Sequence, residues 1–351
     1  MKKTMAYIGN FSKNGIYIYE LSGGKFIPAN EVEKIQRPGH LANMGNSYLY
    51  AALELESFNG AYGGAVAAFE IAAVDGSLKL LNTQPTHGSL PCNLCLNKSG
   101  KMLFSANYKD GKVNVFPIKL DGKVLPCSHI EQHVGSGPNA KRQAGPHAHC
   151  VTMTPDGKFL CVVDLGLDAV KLYSLNLGAG SLTEREELSL KLRSGCGPRH
   201  IQFSKNDNIA YLINEIANEM VTLLYSPEHG FKIMQVISTL PTSFTGESTA
   251  AAIAISDSGD FLYASNRGHD SITAFKIGSD GLLSLVEIFP CGGSWPRDIA
   301  ISPDGNFLFC ANELSNTITA FKIYHVSGRL EAQGIAAAAE APTCIKFVTL
   351  K

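Results

Sequence analysis

The stretch IAISPDGNFLFCANELSNTITAFKI (299–323) decides the fold, because its pattern returns throughout the chain. It contains three short runs of alternating apolar residues, separated by turn residues such as Pro-Asp-Gly. Alternation with a period of two, bounded by such turns, predicts antiparallel β-strands. Five further stretches align with it on the first turn: ANMGNSYLYAALELESFNGAYGGAVAAFEI (42–71), LCLNKSGKMLFSANYKDGKVNVFPI (94–118), VTMTPDGKFLCVVDLGLDAVKLYSL (151–175), IQFSKNDNIAYLINEIANEMVTLLY (201–225) and IAISDSGDFLYASNRGHDSITAFKI (253–277).

The spacing of these copies predicts the architecture. A fourth alternating run follows the third wherever the spacing leaves room, as in GSLTEREEL (180–188) and GLLSLVEIF (281–289). Four strands in a unit of about 50 residues are the signature of a β-propeller blade, and no helical periodicity competes with it. The first turn recurs at Gly45, Gly100, Gly157, Asp207, Gly259 and Gly305.

The two ends of the chain predict how the ring of blades closes. MAYIGNFSKNGIYIYEL (5–21) supplies the second and third strands of a blade but not the first, and APTCIKFVTL (341–350) reads as a first strand alone. Together they predict one composite blade, which would remove the open sheet edges. The sequence therefore predicts an all-β fold: a seven-bladed β-propeller with four antiparallel strands per blade, forming a single domain over residues 1–351.

Composition excludes several classes of partner. The 351 residues are 45% hydrophobic and 17% charged with a net charge of −1, which describes a globular chain with a full core. The near-neutral balance predicts no binding to nucleic acid or to an anionic membrane. No apolar run approaches the roughly 20 residues of a spanning helix, and MKKTMAYIGN at the start lacks the apolar segment of a signal peptide.

Nine cysteines, an odd number, are scattered through apolar runs and predict free thiols in a reducing cytoplasm. Cys92 and Cys95 have the spacing of half a zinc site. On a strand, residues i and i+3 point to opposite faces, and no second pair completes the site. We therefore expect no metal site and no cofactor. The sequence does not indicate the oligomeric state.

Two columns of residues in the aligned blades identify one mouth of the central channel. The first and second strands of a blade are antiparallel, so the start of the first lies beside the end of the second. Two residues before the first apolar position of the first strand stand Cys92, His149, Arg199, Ala251, Arg297 and Thr343. The second strand is closed by Tyr108, Leu165, Glu215, Arg267 and Glu313. Residue types that vary between blades indicate a site assembled from unlike parts, although a solvated ring of ion pairs is the alternative.

A third column has a structural interpretation. The residue before the end of the second strand is Asn107, Asp164, Asn214, Asn266 or Asn312. Such side chains bond the backbone at strand ends, so their repetition predicts turn-making. His200, directly after Arg199, should point away from Arg199 and is expected to be a packing histidine. His147 can face the same way as His149, and we expect it to act as a hydrogen-bonding residue. No G-x-S-x-G elbow offers a nucleophile.

Several motifs together resemble one family over essentially the whole chain. These motifs are PHAHCVTMTPDGKFLCVVDLGLD (146–168), GPRHIQF (197–203), INE (213–215), ASNRG (264–268) and WPRDIAISPDG (295–305). They are similar to the lactonase family of seven-bladed propellers, which includes 6-phosphogluconolactonases and carboxy-cis,cis-muconate cyclases. The resemblance implies a site of His149, Arg199, Glu215 and Arg267, with Arg297 as an addition. It further implies a lactone hydrolase that acts on a small anionic sugar lactone, most simply 6-phosphogluconolactone.

The residue types at the mouth suggest how a lactone would be hydrolysed. His149 would activate water, Glu215 would orient it or hold an arginine in place, and Arg199 would stabilise the oxyanion. Arg267 and Arg297 would grip a phosphate, since the planar guanidinium suits that group. His147, Tyr108 and Glu313 complete the predicted substrate-binding set. Which carboxylate or histidine is the base stays open.

Two other functions remain open from the sequence. A cycloisomerase of the carboxymuconate type would use the same arginines and move a proton without adding water. A non-enzymatic interaction platform is the second alternative, although the single tryptophan, Trp295, is not part of a Trp-Asp repeat. Convergent arginines without several neighbouring carboxylates or histidines favour a metal-free reaction of an anionic substrate.

Overall fold

Seven antiparallel sheets of four or five strands follow one another in the computed structural model, which describes residues 3–12, 15–32, 34–205 and 208–350. Each sheet is one predicted blade, so the all-β, seven-bladed propeller is confirmed. The first strands of neighbouring blades contact one another and surround the central axis. The turn predicted at Asp207 lies outside the described residues.

The composite first blade and the next two blades are built as follows, from the axis outward. Blade 1 contains β31 (Pro342–Thr349), β1 (Thr4–Asn10), β2 (Ile16–Ser22) and β3 (Lys25–Val32). Blade 2 contains β4 (Pro38–Met44), β5 (Tyr48–Leu53), β8 (Ala65–Ile71) and β9 (Leu78–Pro85), with a hairpin of β6 (Ser57–Phe58) and β7 (Ala61–Tyr62) inserted. Blade 3 contains β10 (Pro91–Leu96), β11 (Met102–Asn107), β12 (Lys112–Pro117) and β13 (His129–Gln132).

The remaining four blades repeat this order. Blade 4 contains β14 (Ala148–Met153), β15 (Phe159–Asp164), β16 (Ala169–Asn176) and β17 (Ser181–Glu184), then a 3-10 helical turn (Glu186–Leu188) and β18 (Leu190–Lys191). Blade 5 contains β19 (Pro198–Phe203), β20 (Ile209–Asn214), β21 (Glu219–Ser226) and β22 (Gly230–Ser238). Blade 6 contains β23 (Thr249–Ile255), β24 (Phe261–Arg267), β25 (Ser271–Ile277) and β26 (Leu283–Pro290). Blade 7 contains β27 (Pro296–Ile301), β28 (Phe307–Asn312), β29 (Thr317–Ile323) and β30 (Leu330–Ala338).

Tyrosines of the second strands connect neighbouring blades. The rings of Tyr211 and Tyr263 are fully buried, as expected of core residues, and so is Phe309. Tyr211 donates a hydrogen bond of 2.8 Å to the carbonyl of Gly281 in the next blade, and Tyr7 and Tyr50 bond Gly76 and Gly122 in the same way. A buried hydroxyl needs such a partner, so these bonds join neighbouring blades while the rings fill the space between them.

The Asn/Asp column lies inside the blades, not in the channel mouth. All five residues are buried, with at most 2% of their surface exposed. Asp164 accepts hydrogen bonds from the backbone of His147 and Leu167, and Asn266 donates to Ser271 and Thr273 on the next strand. The predicted structural role is therefore confirmed, although several partners are side chains of the third strand as well as turn backbone.

A second set of side-chain bonds joins the innermost strands across the blade boundaries. Each such side chain accepts from a backbone N–H of the next blade, which satisfies donors on the otherwise free inner edge of the sheet. Asn93 accepts from Val151 at 3.0 Å, and Asp298 accepts from Ile345 at 2.8 Å. His40 does the same for Leu94 of blade 3. Within the part of the chain that the structure describes, no helix is long and apolar enough to cross a membrane.

The closing strand β31 yields a stability prediction. It pairs with β1 from Thr4–Thr349 to Asn10–Pro342, and its Cys344, Ile345 and Val348 are buried. Deleting residues 342–351 exposes the inner edge of β1 and removes this apolar surface. Because we propose that residues 1–351 form one domain, we expect the truncated chain to lose its single cooperative unfolding transition in urea.

A circular permutant provides the matched control for this truncation. The backbone N–H of Leu350 donates to the carbonyl of Lys3 at 2.8 Å, so a short linker can join the natural ends. The permutant would begin at residue 340 and end at residue 339, with every strand retained. It is expected to unfold cooperatively near the wild-type urea midpoint. A truncated chain that unfolds like the permutant would contradict the single-domain proposal.

Candidate active site

A β-bulge at the start of every innermost strand positions the first predicted column. Strand pairing passes from Pro198 to His200 in blade 5 and from Pro296 to Asp298 in blade 7, so the residue between them has no pairing partner. A bulge re-aims the side chain of the extra residue. The residues skipped in this way are Gly39, Cys92, His149, Arg199, Ala251 with Ala252, Arg297 and Thr343.

Glu215, the residue after β20, lies at the centre of a cluster of arginines. Its carboxylate oxygen Oε2 is 2.7 Å from Nη2 of Arg267 and 3.0 Å from Nε of Arg199, and Oε1 contacts Nη2 of Arg142. Only 2% of Glu215 is exposed. Burial alone would raise its pKa, but the charges of Arg267 and Arg199 hold the pKa of this carboxyl well below its usual range. Glu215 is therefore an anion that orders three cations.

The carbonyls of blade 6 complete the coordination of two of these arginines. Nη1 of Arg199 donates to the carbonyl of Ala251 at 2.6 Å, and Nη2 of Arg267 donates to that of Ala250 at 3.1 Å. Burial, followed by the charge of Arg267, lowers the pKa of Arg199 to about 10. Arg199 thus stays charged at neutral pH. Its Nε is close to Glu215 without the alignment of a hydrogen bond, so this contact is an ion pair.

His149 is a buried imidazole next to this cluster. Burial and then the charge of Arg199 lower the pKa of His149 well below its usual value, so the ring is neutral at pH 7. Nδ1 lies 4.0 Å from the sulfur of Cys92, and the ring packs edge-on against Tyr108 and His200. Nε2 makes no hydrogen bond to any residue that the structure describes. A neutral ring with an unengaged nitrogen has the properties of a general base.

His147 and Tyr108 pack beside His149. Nδ1–H of His147 donates to the carbonyl of Tyr108 at 2.7 Å, which leaves Nε2 of His147 as an acceptor. The two rings stack with centroids 4.5 Å apart. The hydroxyl of Tyr108 is 3.4 Å from Nη2 of Arg142, and burial raises the pKa of Tyr108. The hydrogen-bonding role expected of His147 is present in the structure.

Arg297 lies across the channel mouth in a second cluster. Its Nη1 is 3.1 Å from Oε2 of Glu313, so these two predicted residues form an ion pair. The guanidinium carbons of Arg297 and Arg37 lie 4.6 and 4.5 Å from the centre of the Phe11 ring. Cation–π contacts of this kind hold two like charges close together. Glu54 also belongs to this cluster, since the charge of Arg297 acts on its carboxyl.

A central cavity of about 470 Å³ connects the two clusters. His149, Arg199 and Arg297 line it, together with Glu54 and Cys92. Glu215, Arg267 and Arg142 lie behind or beside Arg199, and Tyr108 and His147 flank His149. The eight predicted site residues thus form one contiguous group. Glu247 is exposed, and blade 6 contributes Arg267 and backbone carbonyls instead.

One prediction about orientation is wrong, and the bulge explains it. His200 was expected to point away from Arg199, but its ring contacts the guanidinium of Arg199 and packs edge-on against His149. The opposite faces expected of Cys92 and Cys95 stay a prediction. The extra residue of a bulge shifts the alternation by one, so counting along the strand fails at its start. Among the described residues, no group of three or more His, Cys, Asp or Glu side chains could hold a metal ion.

Sequence reasoning missed two residues of the mouth. Glu54 follows β5 in the position that Glu215 occupies after β20, so extending the second column to the loosest repeat would have found it. Arg142 lies in the connection between β13 and β14, residues 133–147, which is longer than the connections between the other blades. Gln143, fully buried, anchors this connection through Asp168 and the carbonyl of Leu165. No repeat-based signal indicates where Arg142 lies.

Comparison with known proteins agrees with this geometry. Residues 5–347 match the model of a family described as lactonase, 7-bladed β-propeller. This chain belongs to the lactonase family. This lactonase is 36% identical over 356 residues to the 6-phosphogluconolactonase of Bacillus subtilis, with 99% of each chain covered.

Solved structures extend the comparison. The lactonase superimposes with a TM-score of 0.91 on a Bacteroides fragilis protein provisionally assigned as a 6-phosphogluconolactonase, at 32% identity over 99% of this chain and 98% of that one. It superimposes with a TM-score of 0.93 on the periplasmic gluconolactonase PpgL of Pseudomonas aeruginosa, at 26% identity over 99% and 100% of the chains. The reaction class that the family indicates for this lactonase is hydrolysis of a lactone.

Proposed function

We propose that this lactonase hydrolyses 6-phosphogluconolactone to 6-phosphogluconate. The observation that carries the proposal is the excess of positive charge around a cavity that holds a neutral base. Arg199, Arg297 and Arg142 face or border the cavity, whereas the carboxylates of Glu215 and Glu313 are already paired with arginines. An anionic substrate is attracted to such a mouth. The name of the Bacillus subtilis relative supplies the specific lactone.

In the proposed mechanism, His149 removes a proton from water as the water attacks the lactone carbonyl. Its low pKa keeps it in the neutral form that this step requires. General-base assistance of this kind contributes about 10²–10⁴-fold to the rate. Arg199 stabilises the developing oxyanion, and a buried, fixed cation does so without reorganising at the moment of reaction. Glu215 acts as a positioning residue, since it holds Arg199 and is itself enclosed by arginines.

The phosphate is held by arginines of both clusters. Arg297 lines the cavity and is the direct contact in this proposal. The guanidinium of Arg267 is only 6% exposed and is held by Glu215 and the carbonyl of Ala250, so it acts on the substrate through its charge. Arg142, whose side chain is 36% exposed, is the additional candidate at the outer rim. Planar guanidinium groups suit the bidentate recognition of phosphate.

The direct test is a hydrolysis assay on freshly prepared 6-phosphogluconolactone, corrected for spontaneous opening of the ring. We expect the enzyme to prefer it to the unphosphorylated gluconolactone. Arg199→Ala should lower kcat by at least about 10²-fold because the oxyanion loses its cation. Excess EDTA is expected to leave the rate unchanged, since the carboxylates of Glu215 and Glu313 pair with arginines.

Arg329→Ala is the matched control, because this arginine is 59% exposed and pairs only with Glu287 on the outer surface. It should retain wild-type activity. Turnover of a carboxymuconate without turnover of the lactone would assign the chain to the cycloisomerase alternative. Equal rates for Arg199→Ala and the wild type would refute the role of Arg199.

A further inference from the structure

The carboxyl of Glu54 faces the cavity without any partner for its oxygens. Glu54 is 8% exposed and lines the same cavity as His149 and Arg199. Its side chain makes no hydrogen bond or ion pair of 4 Å or less with the residues that the structure describes. A buried carboxyl normally has such partners. The absence of such partners at Glu54 among the described residues indicates that its carboxyl oxygens bind a group that enters the cavity.

Local structure directs Glu54 into this space. Its N–H donates to the carbonyl of Arg37 at 2.9 Å, and Nε of Arg37 donates back to the carbonyl of Glu54 at 3.0 Å. Gly39 is the bulge residue of blade 2 and occupies the position that His149 has in blade 4 and Arg199 has in blade 5. A Cβ on Gly39 would lie 2.5 Å from Oε2 of Glu54, so the missing side chain makes room for the carboxyl.

We propose that Glu54 is the general acid that protonates the leaving ring oxygen of the lactone, opposite His149. This inference rests on the proposed lactone hydrolysis. The two residues belong to blades 2 and 4, and Cys92 of blade 3 lies between them, with its sulfur 4.0 Å from Nδ1 of His149 and the charge of Glu54 acting on its thiol. A substrate carbon over Cys92 would therefore have the base on one side and the acid on the other.

His149 and Glu54 together account for every proton transferred in the reaction. Water loses a proton to Nε2 of His149 as its oxygen bonds to the lactone carbon, and a tetrahedral oxyanion forms beside Arg199. The oxyanion then collapses, the bond between the carbonyl carbon and the ring oxygen breaks, and Glu54 gives its proton to that oxygen. His149 releases its proton to solvent, Glu54 regains one, and the new carboxylic acid ionises.

Electrostatics agree with this division of roles. Burial raises the pKa of Glu54 to about 7, although the charges of Arg297, Arg37 and Arg199 oppose the rise and that of Glu313 assists it. The pKa of Glu215 is instead held well below its usual range by its arginines. Two carboxyls whose environments push their pKa values apart provide one protonated acid and one fixed anion.

Other groups at the mouth are less suited to donate this proton. The carboxylate of Glu313 is paired with Arg297, and His149, once it holds the proton from water, lies on the side of the attacking oxygen in this proposal. Burial raises the pKa of the Cys92 thiol well above its usual value, and its S–H is directed at the carbonyls of Ala148 and His149. Glu54 combines a carboxyl that holds its proton up to about pH 7 with oxygens that are unengaged among the described residues.

The test is the pH profile of Glu54→Gln on the lactone that the wild type hydrolyses, with spontaneous opening subtracted. Glutamine keeps the shape but holds no acidic proton. The wild-type kcat/KM should fall as the pH rises through about 7, because Glu54 loses its proton there. At about pH 6.5 the variant should be slower by about 10²–10⁴-fold, and its alkaline decline should vanish. A loss below about tenfold, or an unchanged alkaline decline, would overturn the proposal.

Glu56→Gln is the matched control, since Glu56 is two residues away and its side chain is 61% exposed. It should behave as the wild type. A lactone with a phenolic leaving group gives a second readout: the phenoxide needs less protonation, so the deficit of Glu54→Gln should shrink at least about tenfold on it. An equal deficit on both lactones would contradict an acid role.

A spectroscopic measurement separates this inference from the proposed substrate. The infrared difference spectrum of the wild type between about pH 5.5 and about pH 8.5 should contain a carboxyl C=O band that titrates near neutral pH and is shifted by ¹³C-glutamate labelling. If 6-phosphogluconolactone is not a substrate but this band is present, the substrate proposal fails and the protonated Glu54 stands. A wild-type protein without the band overturns the acid role, whatever lactone it hydrolyses.

Discussion

Replacing His149 with glutamine is expected to lower kcat for the lactone by about 10²–10⁴-fold, the usual contribution of a general base. The neutral imidazole has an unengaged Nε2 in the cavity, and glutamine cannot accept the proton that water must lose. The rate should be measured under saturating lactone, above spontaneous hydrolysis. His229→Gln, at an exposed position in blade 5, is the matched control and should leave kcat unchanged.

The pH dependence of wild-type activity is a second test of His149 as the base. His149 acts as a base only when neutral, and burial and Arg199 depress its pKa. Protonation of His149 should therefore not limit activity above about pH 6.5, its ordinary pKa, and the acidic decline, which is separate from the alkaline decline assigned to Glu54, should begin only at lower pH. A His149→Gln loss of less than about tenfold, or a wild-type rate without any decline at acidic pH, would exclude His149 as the base.

Replacing Glu215 with glutamine is expected to cost about 3–5 kcal/mol in the free energy of unfolding, the scale seen when one member of a buried ion pair is removed. Arg267 and Arg199 would then lie close together with no counter-ion. The measurement is urea unfolding at neutral pH. Activity should fall as well, because Arg199 loses the carboxylate that holds it in place.

Glu219→Gln provides the control within the same blade. Glu219 pairs with Arg193, whose side chain is 65% exposed, and such surface pairs contribute only about 0–1 kcal/mol. A similar loss of stability in the two variants would mean that burial of the arginine cluster has no special energetic consequence.

Linkage gives the sign of the pH effect for Glu215. A carboxyl whose folded pKa is depressed stabilises the protein above its unfolded value of about 4.3, and this contribution is lost as the pH falls toward the folded pKa. The stability difference between the wild type and Glu215→Gln should thus be largest at neutral pH and shrink below about pH 4. A difference that grows on acidification would contradict the assignment.

Much of the fold followed from the sequence because a propeller is built from local units. Each blade pairs strands that are adjacent in the chain, so alternation and turn residues are sufficient to predict them. The unpaired strands at 5–21 and 341–350 predicted the closure that β1 and β31 form. The proximity of Arg199 and Glu215 could be predicted for the same reason. Antiparallel strands place the start of one strand beside the end of the next.

The alternating sequence pattern does not show which way the side chains at the mouth point, because a bulge and a long connection decide it. A single extra residue at the bulge of blade 5 reverses the alternation, so the ring of His200 contacts Arg199 although the pattern predicts otherwise. Arg142 contacts Glu215 from the connection between β13 and β14, which is longer than those between the other blades. Contacts between residues far apart in the chain therefore supplied the fourth arginine.

The sequence by itself determined the seven blades, their closure and the residue types gathered at one mouth, because these depend on short-range periodicity and on the order of strands. Only the tertiary structure decided the charge states, since a pKa depends on burial and on neighbours brought from other blades. Three arginines from three parts of the chain keep Glu215 ionised, while burial raises the pKa of Glu54 to about 7. In our proposal, two glutamates at equivalent ends of second strands thus take opposite roles.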